Sequence, residues 1–377
     1  MAVVKFGDIV RDVKINVDRT SNPYEHYVAG DHMDSEDLTL HRYGNFATDD
    51  VGPAFTRIFK PGQVLYGSRR TYLKKIAVAN FEGICANTTF VLESKDDSLF
   101  DNRLLPFIML SDAFTRWSIA HSKGSTNPYV LFSDLADYEF DLPPIAEQRV
   151  IADKLWAAYR LKESYKKLLA ATDEMVKSQF IEMTGDPRTN PKSWQVKTLS
   201  ELATYSIGLT YKPENISEEG TIVLRSGNIQ NSKIDLADVV RVNCPIKESI
   251  YVQKNDILMC SRNGSAALVG KVAQIKDISE PMTYGAFMTV IRSEYSDFLY
   301  LYFQSNDFRE EVSTGKSSTM NQITQNMLDK ISLPLPDDET RNKLSIILHQ
   351  ADKSKFELRK SIEAIDQVIK SLINDIK

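Results

Sequence analysis

The sequence predicts an α+β protein in which two similar mixed α/β domains are separated by two long antiparallel helices that form a coiled coil. The last segment of the chain, from Leu344 to Ile376, has a heptad pattern of apolar residues. The same pattern occurs 193 positions earlier, and the segments that precede the two patterns also correspond at or near this offset. The chain is therefore a tandem repeat, which predicts a pseudo-two-fold relation between its halves.

The two heptad patterns identify the residues of the predicted coiled coil. Apolar residues recur at alternating steps of four and three, and so narrow a stripe stays in contact only with another helix. One lysine interrupts each stripe at the corresponding position, Lys162 in the first and Lys355 in the second. The predicted spacer residues are Ile151, Leu155, Tyr165, Leu169 and Val176 in the first helix and Leu344, Leu348, Leu358, Ile362, Ile365 and Ile369 in the second.

The connection between the helices predicts their polarity. The first helix is expected to end at Gly185, because a glycine followed closely by a proline stops a helix. The connector from there to residue 194 spans at most ~35 Å, which is too short to return along the whole helix, so the second helix is expected to run antiparallel. Symmetric pairing then places Thr172 opposite Lys355 and Lys162 near Ile365.

Each half has the same predicted order of elements. A turn and a short buried strand lead through a Ser-Arg step into a loop, and two further strands, a helical segment and a polar loop follow. A proline-containing segment then precedes the long helix, because the residue before a proline is extended. These segments are 59–69 and 252–262, 75–79 and 270–275, 88–92 and 287–291, 104–118 and 296–312, 123–127 and 315–321, and 142–144 and 333–336.

The repeat also predicts the domain boundaries. The first globular domain is expected at 1–143, the first long helix at 144–184, a linker at 185–198, the second globular domain at 199–336 and the second long helix at 337–377.

Composition is that of an ordinary globular protein of 377 residues, with 42% hydrophobic and 26% charged residues. The start of the chain resembles no signal peptide, and no window approaches the roughly 20 apolar residues of a membrane span. The three cysteines lack metal-ligand spacing and fit a reducing cytoplasm. A net charge of −5 argues mildly against nonspecific coating of nucleic acid, although it does not exclude local basic surfaces.

One stretch of the first half is strongly basic. Between Asp50 and Glu82 there is no acidic residue, whereas six basic residues and interleaved tyrosines occur. Arginine pairs with phosphates and guanine edges, so this stretch is a candidate DNA-facing surface, although a solvated basic hairpin has the same pattern. The corresponding stretch of the second half is less basic, since Asp256 and Asp277 lie within it.

The polar loops at 123–127 and 316–322 are the second group of candidate contacts. Their Ser, Thr, Asn and Gln side chains suit phosphate or base contacts, but such residues are also common in ordinary loops. The candidate DNA-binding residues are Arg69, Arg70, Tyr72, Lys74, Lys75, Lys123, Ser125 and Thr126 in the first half and Arg262, Asn263, Ser265, Lys316, Ser318 and Thr319 in the second.

No catalytic or metal-binding constellation is expected. Gly315-Lys316-Ser317 resembles the end of a phosphate-binding loop, but Glu310 occupies the position of the required earlier glycine. The Asn-Pro-Tyr segment at 127–129 lacks the second proline of an amino-methyltransferase motif, and the five histidines form no metal set with the cysteines.

Several motifs together resemble the specificity (S) subunit of a type I restriction–modification system. They are Leu-Pro-Pro-Ile-Ala-Glu-Gln-Arg at 142–149, its altered copy Leu-Pro-Leu-Pro-Asp-Asp-Glu-Thr-Arg at 333–341, Met-Thr-Gly-Asp-Pro at 183–187, Asn-Pro-Lys-Ser-Trp at 190–194 and the Gly-Ser-Thr loop at 124–126. The resemblance covers essentially the whole chain. The second copy of the first motif lacks its Glu-Gln pair.

The resemblance implies a noncatalytic DNA-recognition subunit. Its two globular domains are then target recognition domains that each read one half of an asymmetric DNA site, and its helices set the spacing and bind two methyltransferase (M) subunits. Catalysis resides in the partners: M subunits bind S-adenosylmethionine and methylate a flipped adenine, and restriction (R) subunits cleave DNA with ATP and Mg. This chain itself is expected to bind no cofactor and no membrane.

Other classes of protein stay open at this stage. A stand-alone DNA-binding regulator needs no methyltransferase partner, and a coiled-coil scaffold has no role on DNA. An exposed apolar strip on the helices favours a partner-binding subunit over the regulator, and loops without basic surface favour the scaffold. An S subunit that lacks a restriction partner is also compatible with the sequence.

Overall fold

The computed structural model describes residues 2–18, 21–314 and 321–374. The chain divides into two compact units, a first unit of Met1–Lys167 with Arg359–Lys377 and a second unit of Leu168–Leu358. Within the described residues, no helix has the combination of length and apolarity that crossing a membrane requires.

The first unit contains two four-stranded sheets, in the orders β2-β9-β6-β7 and β4-β3-β8-β5, and the separate pair β1-β10. Its strands are β1 (Ala2–Lys5), β2 (Val10–Asp12), β3 (His26–Val28), β4 (Gly44–Asn45), β5 (Phe55–Phe59), β6 (Val64–Gly67), β7 (Ile76–Val78), β8 (Gly83–Ala86), β9 (Thr89–Ser94) and β10 (Glu139–Leu142). Its helices are α1 (Phe6–Ile9), α2 (Leu105–Leu110), α3 (Asp112–Ala120), α4 (Phe132–Ala136) and the first part of α5 (Ile145–Thr184).

The second unit has four-stranded sheets in the orders β12-β21-β18-β19 and β13-β17-β14-β20, with the pairs β11-β22 and β15-β16. Its strands are β11 (Val196–Thr198), β12 (Thr204–Ile207), β13 (Ile216–Ser217), β14 (Thr221–Leu224), β15 (Ile229–Gln230), β16 (Lys233–Ile234), β17 (Val240–Val242), β18 (Ile257–Cys260), β19 (Val272–Gln274), β20 (Met282–Tyr284), β21 (Met288–Arg292) and β22 (Ser332–Pro334). Its helices are α6 (Leu199–Leu202), α7 (Ser296–Phe303), α8 (Asn306–Thr314), α9 (Gln325–Asp329) and most of α10 (Asp338–Asn374).

The two units repeat one architecture. The central antiparallel pairs have matching registers, with Val64 opposite Leu92 in β6-β9 and Ile257 opposite Ile291 in β18-β21. In each unit the second sheet contains one parallel pair, β3-β8 or β14-β20. This repeated mixture of sheets and helices, together with two long helices, confirms the fold class that the sequence predicts.

The helical segments predicted at 104–118 and 296–312 are each two helices instead of one. Ser111 lies between α2 and α3, and its hydroxyl accepts a hydrogen bond from the Phe114 N–H at 3.1 Å. Ser305 does the same before α8, with the Phe308 N–H at 3.2 Å. A serine in this position caps the start of a new helix. The break is not evident in the sequence, because the apolar periodicity continues on either side of the serine.

A side chain of each long helix fixes the backbone at its start. In α5 the buried Gln148 amide donates to the carbonyls of Pro143 at 2.8 Å and Leu99 at 2.9 Å, and its oxygen accepts from the Asp101 N–H at 2.9 Å. At the equivalent position of α10, Arg341 donates to the Pro336 carbonyl. Its guanidinium also lies 4.8 Å from the centre of the Tyr295 ring. The altered copy of the proline motif therefore keeps the contact with a different side chain.

The end of α5 follows the prediction. The helix ends at Thr184, and Gly185 adopts a left-handed φ of +72° while its N–H donates to the Ile181 carbonyl at 2.8 Å. A Cβ atom at this position would lie 2.6 Å from the Pro191 ring, so both the backbone conformation and the close approach require glycine.

Each interrupting lysine forms a salt bridge to the other long helix. In the first unit the Lys162 ammonium lies 2.5 Å from Asp366, and in the second unit that of Lys355 lies 2.8 Å from Asp173. The two bridges occupy equivalent positions of the repeat. Each aspartate lies one residue beyond the predicted partner position, 365 or 172.

The spacer residues pack differently along each helix. Ile151, Leu155 and Ile369 join the core of the first unit, and Val176, Leu344 and Leu348 are buried in the core of the second. The remaining spacer residues, Tyr165, Leu169, Leu358, Ile362 and Ile365, are half-buried. The stripe is thus a core element near the globular domains and a partly solvated seam elsewhere.

Removal of either aspartate tests the salt bridges. We expect Asp366→Ala to lower the free energy of unfolding by about 1–3 kcal/mol, because the Lys162 side chain is only 15% exposed and loses its partner. Asp173→Ala is expected to lower the free energy of unfolding by a smaller amount, because Lys355 also lies 3.6 Å from Asp352 and keeps that partner. Denaturant unfolding of the two variants measures the difference, and equal losses would contradict this assignment.

Candidate nucleic-acid interface

The first candidate surface is built where a strand-end loop meets the polar loop at 123–129. After β6, the Ser68 carbonyl accepts from the Val130 N–H at 2.9 Å, and the Arg70 N–H donates to the Pro128 carbonyl at 2.7 Å. The polar loop closes on itself, since Lys123 and Tyr129 exchange backbone hydrogen bonds of 2.7 and 2.9 Å. The structure therefore brings together two segments that are separate candidates in the sequence.

Arg69 is the central side chain of this surface. Its guanidinium lies 5.9 Å from the centre of the Tyr129 ring. Within the part of the chain that the structure describes, neither Arg69 nor its exposed neighbour Arg70 donates a side-chain hydrogen bond. A guanidinium held on an aromatic face with its N–H groups free is suited to a planar acceptor such as a guanine edge or a phosphate.

The other predicted residues of the first half fall into two groups. Tyr72, Ser125 and Thr126 are exposed. Lys74 is only 18% exposed and its ammonium lies 3.0 Å from Glu36, whereas Lys75 donates to the Gly30 carbonyl. The Lys123 ammonium lies 3.0 Å from the Asp134 carboxylate. The structure thus distinguishes exposed groups from lysines that already have partners within the domain.

Lys74 belongs to a chain of ion pairs that reaches the second long helix. It lies 3.5 Å from Asp112 at the start of α3, and Asp112 lies 3.1 Å from Lys370 of α10. The hydrogen bond from Lys370 lowers the pKa of the Asp112 carboxyl, so this group stays ionised at neutral pH. These contacts attach the turn that presents Arg70 and Tyr72 to the helix.

The second candidate surface has the same backbone plan. The Ser261 carbonyl accepts from the Ile323 N–H at 2.8 Å, and the Asn263 N–H donates to the Asn321 carbonyl at 3.3 Å. Both hydrogen bonds join residues 193 positions after those of the first surface. Arg262 is therefore the structural equivalent of Arg69.

The side-chain partners of this arginine differ from those of Arg69. Arg262 donates from Nε at 3.1 Å and from Nη2 at 2.8 Å to the Gln322 carbonyl oxygen, and Gln322 occupies the position equivalent to Tyr129. Its guanidinium lies 5.8 Å from the centre of the ring of Phe287, a residue that is 59% exposed. The second surface thus replaces a tyrosine with an amide and adds an aromatic ring from the start of β21.

The remaining predicted residues of the second half include a loop anchor. The Asn263 amide donates to the Ser226 hydroxyl at 3.2 Å, and its oxygen accepts from the Ser265 N–H at 2.9 Å. Ser265 is exposed. Lys316, Ser318 and Thr319 lie outside the described residues.

The sequence pattern included Gln322 only as part of the candidate loop 316–322, and it did not indicate Tyr129 or Phe287. The repeat contained a signal for Tyr129, because an offset of 193 aligns this residue with Gln322 of the candidate loop. No comparable signal identified Phe287, since an isolated aromatic residue before a strand usually contributes to a core.

One group of side chains has the composition of a metal site. Asp37, His41 and Glu163 bring one ligand atom each to within 4.8 Å of one another. Lys166 already lies 3.2 Å from Asp37 and 2.8 Å from Glu163, so a lysine ammonium balances these carboxylates. Burial favours neutral Asp37, but hydrogen bonds led by that from the Tyr159 hydroxyl outweigh it and lower the pKa of this carboxyl. The group joins the 37–41 segment to α5.

Comparison with known families agrees with the repeated architecture. The family model described as the type I restriction modification DNA specificity domain matches residues 35–171 and again 191–367. The chain belongs to this family.

Named relatives have the same description. The specificity subunit of the type I restriction enzyme EcoKI from Escherichia coli K12 is 30% identical over 193 residues, which are 48% of this chain and 40% of that subunit. The MjaVIII specificity subunit from Methanocaldococcus jannaschii is 25% identical over 317 residues, 78% of this chain and 73% of that subunit. The chain spans about two fifths of the length of the Escherichia coli relative that it matches.

A solved structure shares the fold. The type I restriction–modification S subunit from M. genitalium matches with a TM-score of 0.58 and 14% identity, over 100% of this chain and 95% of that one. At this identity the similarity concerns the fold alone.

Proposed function

We propose that this chain is the noncatalytic DNA sequence-recognition subunit of a type I restriction–modification complex, and that it reads a bipartite, asymmetric DNA target with its two globular domains. The observation that carries the proposal is the equivalence of Arg69 and Arg262. Each follows the same strand and lies next to an aromatic ring, and each is bridged through its backbone to the same loop of the repeat.

The chemistry of these arginines supports base reading. An arginine fork donates two parallel hydrogen bonds to guanine, and a ring beneath it limits the rotamers that binding has to order. The differing partners, Tyr129 and Gln322, support two half-sites of different sequence. Two equivalent readers in one chain suit a target whose halves are separated by a fixed distance.

The proposed partners are double-stranded DNA, two methyltransferase subunits and restriction subunits. In this assignment S-adenosylmethionine, ATP and Mg act on the partner subunits, and catalysis takes place there. Exposed apolar residues along α5, including Leu168, Met175 and Ile181, support a surface for protein partners over a stand-alone regulator. The arginine surfaces support DNA binding over a scaffold.

We place the complex in the cytoplasm, where the three free cysteines stay reduced.

The proposal is tested by mapping methylated adenines in the host genome with single-molecule sequencing, with and without this chain. We expect one asymmetric two-part motif to lose methylation at every site when the chain is absent and to regain it on complementation. An unchanged methylation pattern would refute the proposal. Specific DNA binding without a change in methylation would indicate a stand-alone DNA-binding regulator. Absence of DNA binding would indicate a coiled-coil scaffold.

A further inference from the structure

Gln322 and Arg262 form one group at the second candidate surface, because both their backbones and their side chains are joined. The two backbones form an isolated antiparallel bridge. The neighbouring Asn321 adds to this attachment, since its side-chain amide donates to the Gly264 carbonyl at 3.3 Å. A ligand that reaches Arg262 therefore also meets Gln322.

The chemistry of arginine determines which end of the Gln322 amide faces outward. A guanidinium has five N–H donors and no acceptor. The Nε and Nη2 groups of Arg262 both donate to the Gln322 oxygen, at 3.1 and 2.8 Å, so the Nε2 group of the amide is directed away from the guanidinium. Among the residues that the structure describes, this Nε2 group donates to no acceptor. Its two N–H groups are thus available to a ligand.

The contact with Gln322 uses only one edge of the Arg262 guanidinium. The edge formed by Nε and Nη2 is occupied, whereas the edge formed by Nη1 and Nη2 keeps two parallel N–H groups that suit a guanine. Both hydrogen bonds from Arg262 end on the Gln322 oxygen, which has two lone pairs. The pair therefore presents hydrogen-bond donors to a ligand and no acceptor.

The first candidate surface has a different pattern of donors and acceptors. Tyr129 occupies the position equivalent to Gln322, and the centre of its ring lies 5.9 Å from the Arg69 guanidinium. A tyrosine hydroxyl either donates or accepts a hydrogen bond. Tyr129 can thus face a base edge of either kind, whereas the amide held by Arg262 can face only an acceptor.

We infer that Gln322 determines specificity at a second base of the half-site that Arg262 reads, and that it requires a hydrogen-bond acceptor on the major-groove edge of this base. The inference rests on the proposed function and adds to it a residue and a rule of recognition. Guanine, adenine and thymine each present an acceptor in the major groove, whereas cytosine presents only its N4 amino donor. Gln322 therefore excludes cytosine.

The distance between the two side chains places this second base next to the first. Bases along a DNA strand are about 3.4 Å apart. The Arg262 Nη2 atom lies 2.8 Å from the Gln322 oxygen, so the two side chains reach the same base pair or adjacent pairs. Within one pair, the partner of a guanine is a cytosine, and its amino group would oppose the Gln322 donor. The second base thus belongs to an adjacent pair.

Replacement of Gln322 with glutamate tests the rule. Glutamate has nearly the same shape and keeps an oxygen for Arg262, but it replaces the free donor with an acceptor that suits the N4 amino group of cytosine. We expect Gln322→Glu to change the preference at one position of the second half-site towards cytosine by about 5- to 150-fold. The base that Arg262 reads should stay the same.

Selection from a library of DNA duplexes measures this change. The duplexes carry a fixed first half-site, known from the methylation map, and a randomised second half-site. The full chain is used in the proposed methyltransferase complex, and the selected duplexes are sequenced. If Gln322→Glu does not fold by circular dichroism, Gln322→Ala replaces it, and the same position should then accept all four bases.

Asn326→Asp is the matched control for the added negative charge. Asn326 is exposed, and it lines the same cavity of about 210 Å³ as Gln322. A carboxylate there should weaken binding to all duplexes alike, because it repels phosphates, and it should leave the selected sequence unchanged. A switch to cytosine in this variant would overturn the inference, since charge alone would then explain the switch.

The failure of this inference differs from the failure of the proposed function. Selection of the same second half-site by the wild type and by the folded Gln322 variant would overturn the inference alone. Selection of cytosine by the wild type at the position that the variant changes would do the same. Absence of any sequence preference in the wild-type complex would overturn the proposed function.

Discussion

Replacement of Arg69 with alanine is expected to relax recognition of one half of the DNA target, and replacement of Arg262 to relax recognition of the other. A bidentate arginine contact with a base contributes roughly 1–3 kcal/mol of discrimination, so the preferred base at one position should lose about 5- to 150-fold of its advantage. The other half-site should be read as before, because the contacts of each arginine among the described residues lie within its own unit.

Binding to a panel of DNA duplexes, each with one base of the target changed, measures this effect for the full chain in the proposed methyltransferase complex. Arg69→Lys keeps the charge but loses the planar fork, so it should restore affinity without restoring discrimination. Tyr129→Phe keeps the ring, whereas Tyr129→Leu removes it and should act like a milder Arg69 variant. Lys154→Ala removes a positive charge from exposed α5 and should leave the sequence preference unchanged.

The dependence of binding on salt separates base contacts from phosphate contacts. Replacement of an arginine that only neutralises a phosphate would lower affinity for all sequences and reduce the salt slope by about one. Unchanged discrimination in both Arg69→Ala and Arg262→Ala would refute their assignment as base readers, and loss of discrimination in both half-sites from a single substitution would refute their independence.

The repeat explains why so much of the fold could be predicted. An offset of 193 positions aligns β6 with β18, the first long helix with the second, and the two interrupting lysines with each other. Agreement between two diverged copies distinguishes structural periodicity from chance, which a single stretch of apolar residues cannot do. The same offset places the backbone contacts of the two candidate surfaces in register.

The parts that could not be predicted depend on tertiary contacts. In the sequence, Lys74, Lys75 and Arg69 all belong to the same basic stretch. Only the fold shows that the two lysines have acceptors within the domain. Likewise, the heptad pattern omits Tyr159 in the first half of α5 and Phe180 near its end, although both are buried. There the helix packs against both a domain and the other long helix, so its buried face is wider than a coiled-coil seam.

Gln148→Leu is expected to destabilise the first unit by roughly 2–5 kcal/mol. Gln148 is 1% exposed, and its amide holds the Leu99 and Pro143 carbonyls and the Asp101 N–H. Leucine preserves much of the volume but leaves these buried backbone groups unpaired, at a cost of about 1–3 kcal/mol for each group that water cannot reach. Thermal unfolding measures the overall loss of stability. Hydrogen exchange measured on individual peptides shows which of the two units has lost stability.

The neighbouring Glu147 is the matched control, because it lies in the same motif and is exposed. Glu147→Ala should change stability by no more than about 0.5 kcal/mol. Equal effects of the two substitutions, or a loss confined to the second unit, would contradict the assignment of Gln148. Because Arg341 makes the equivalent contact with Pro336, loss of the Glu-Gln pair in the second copy is compatible with the same helix start. The motif that carries the family resemblance therefore includes a structural glutamine that orients the long helix on its domain, whereas the residues that we propose as readers of DNA lie in loops elsewhere in the unit.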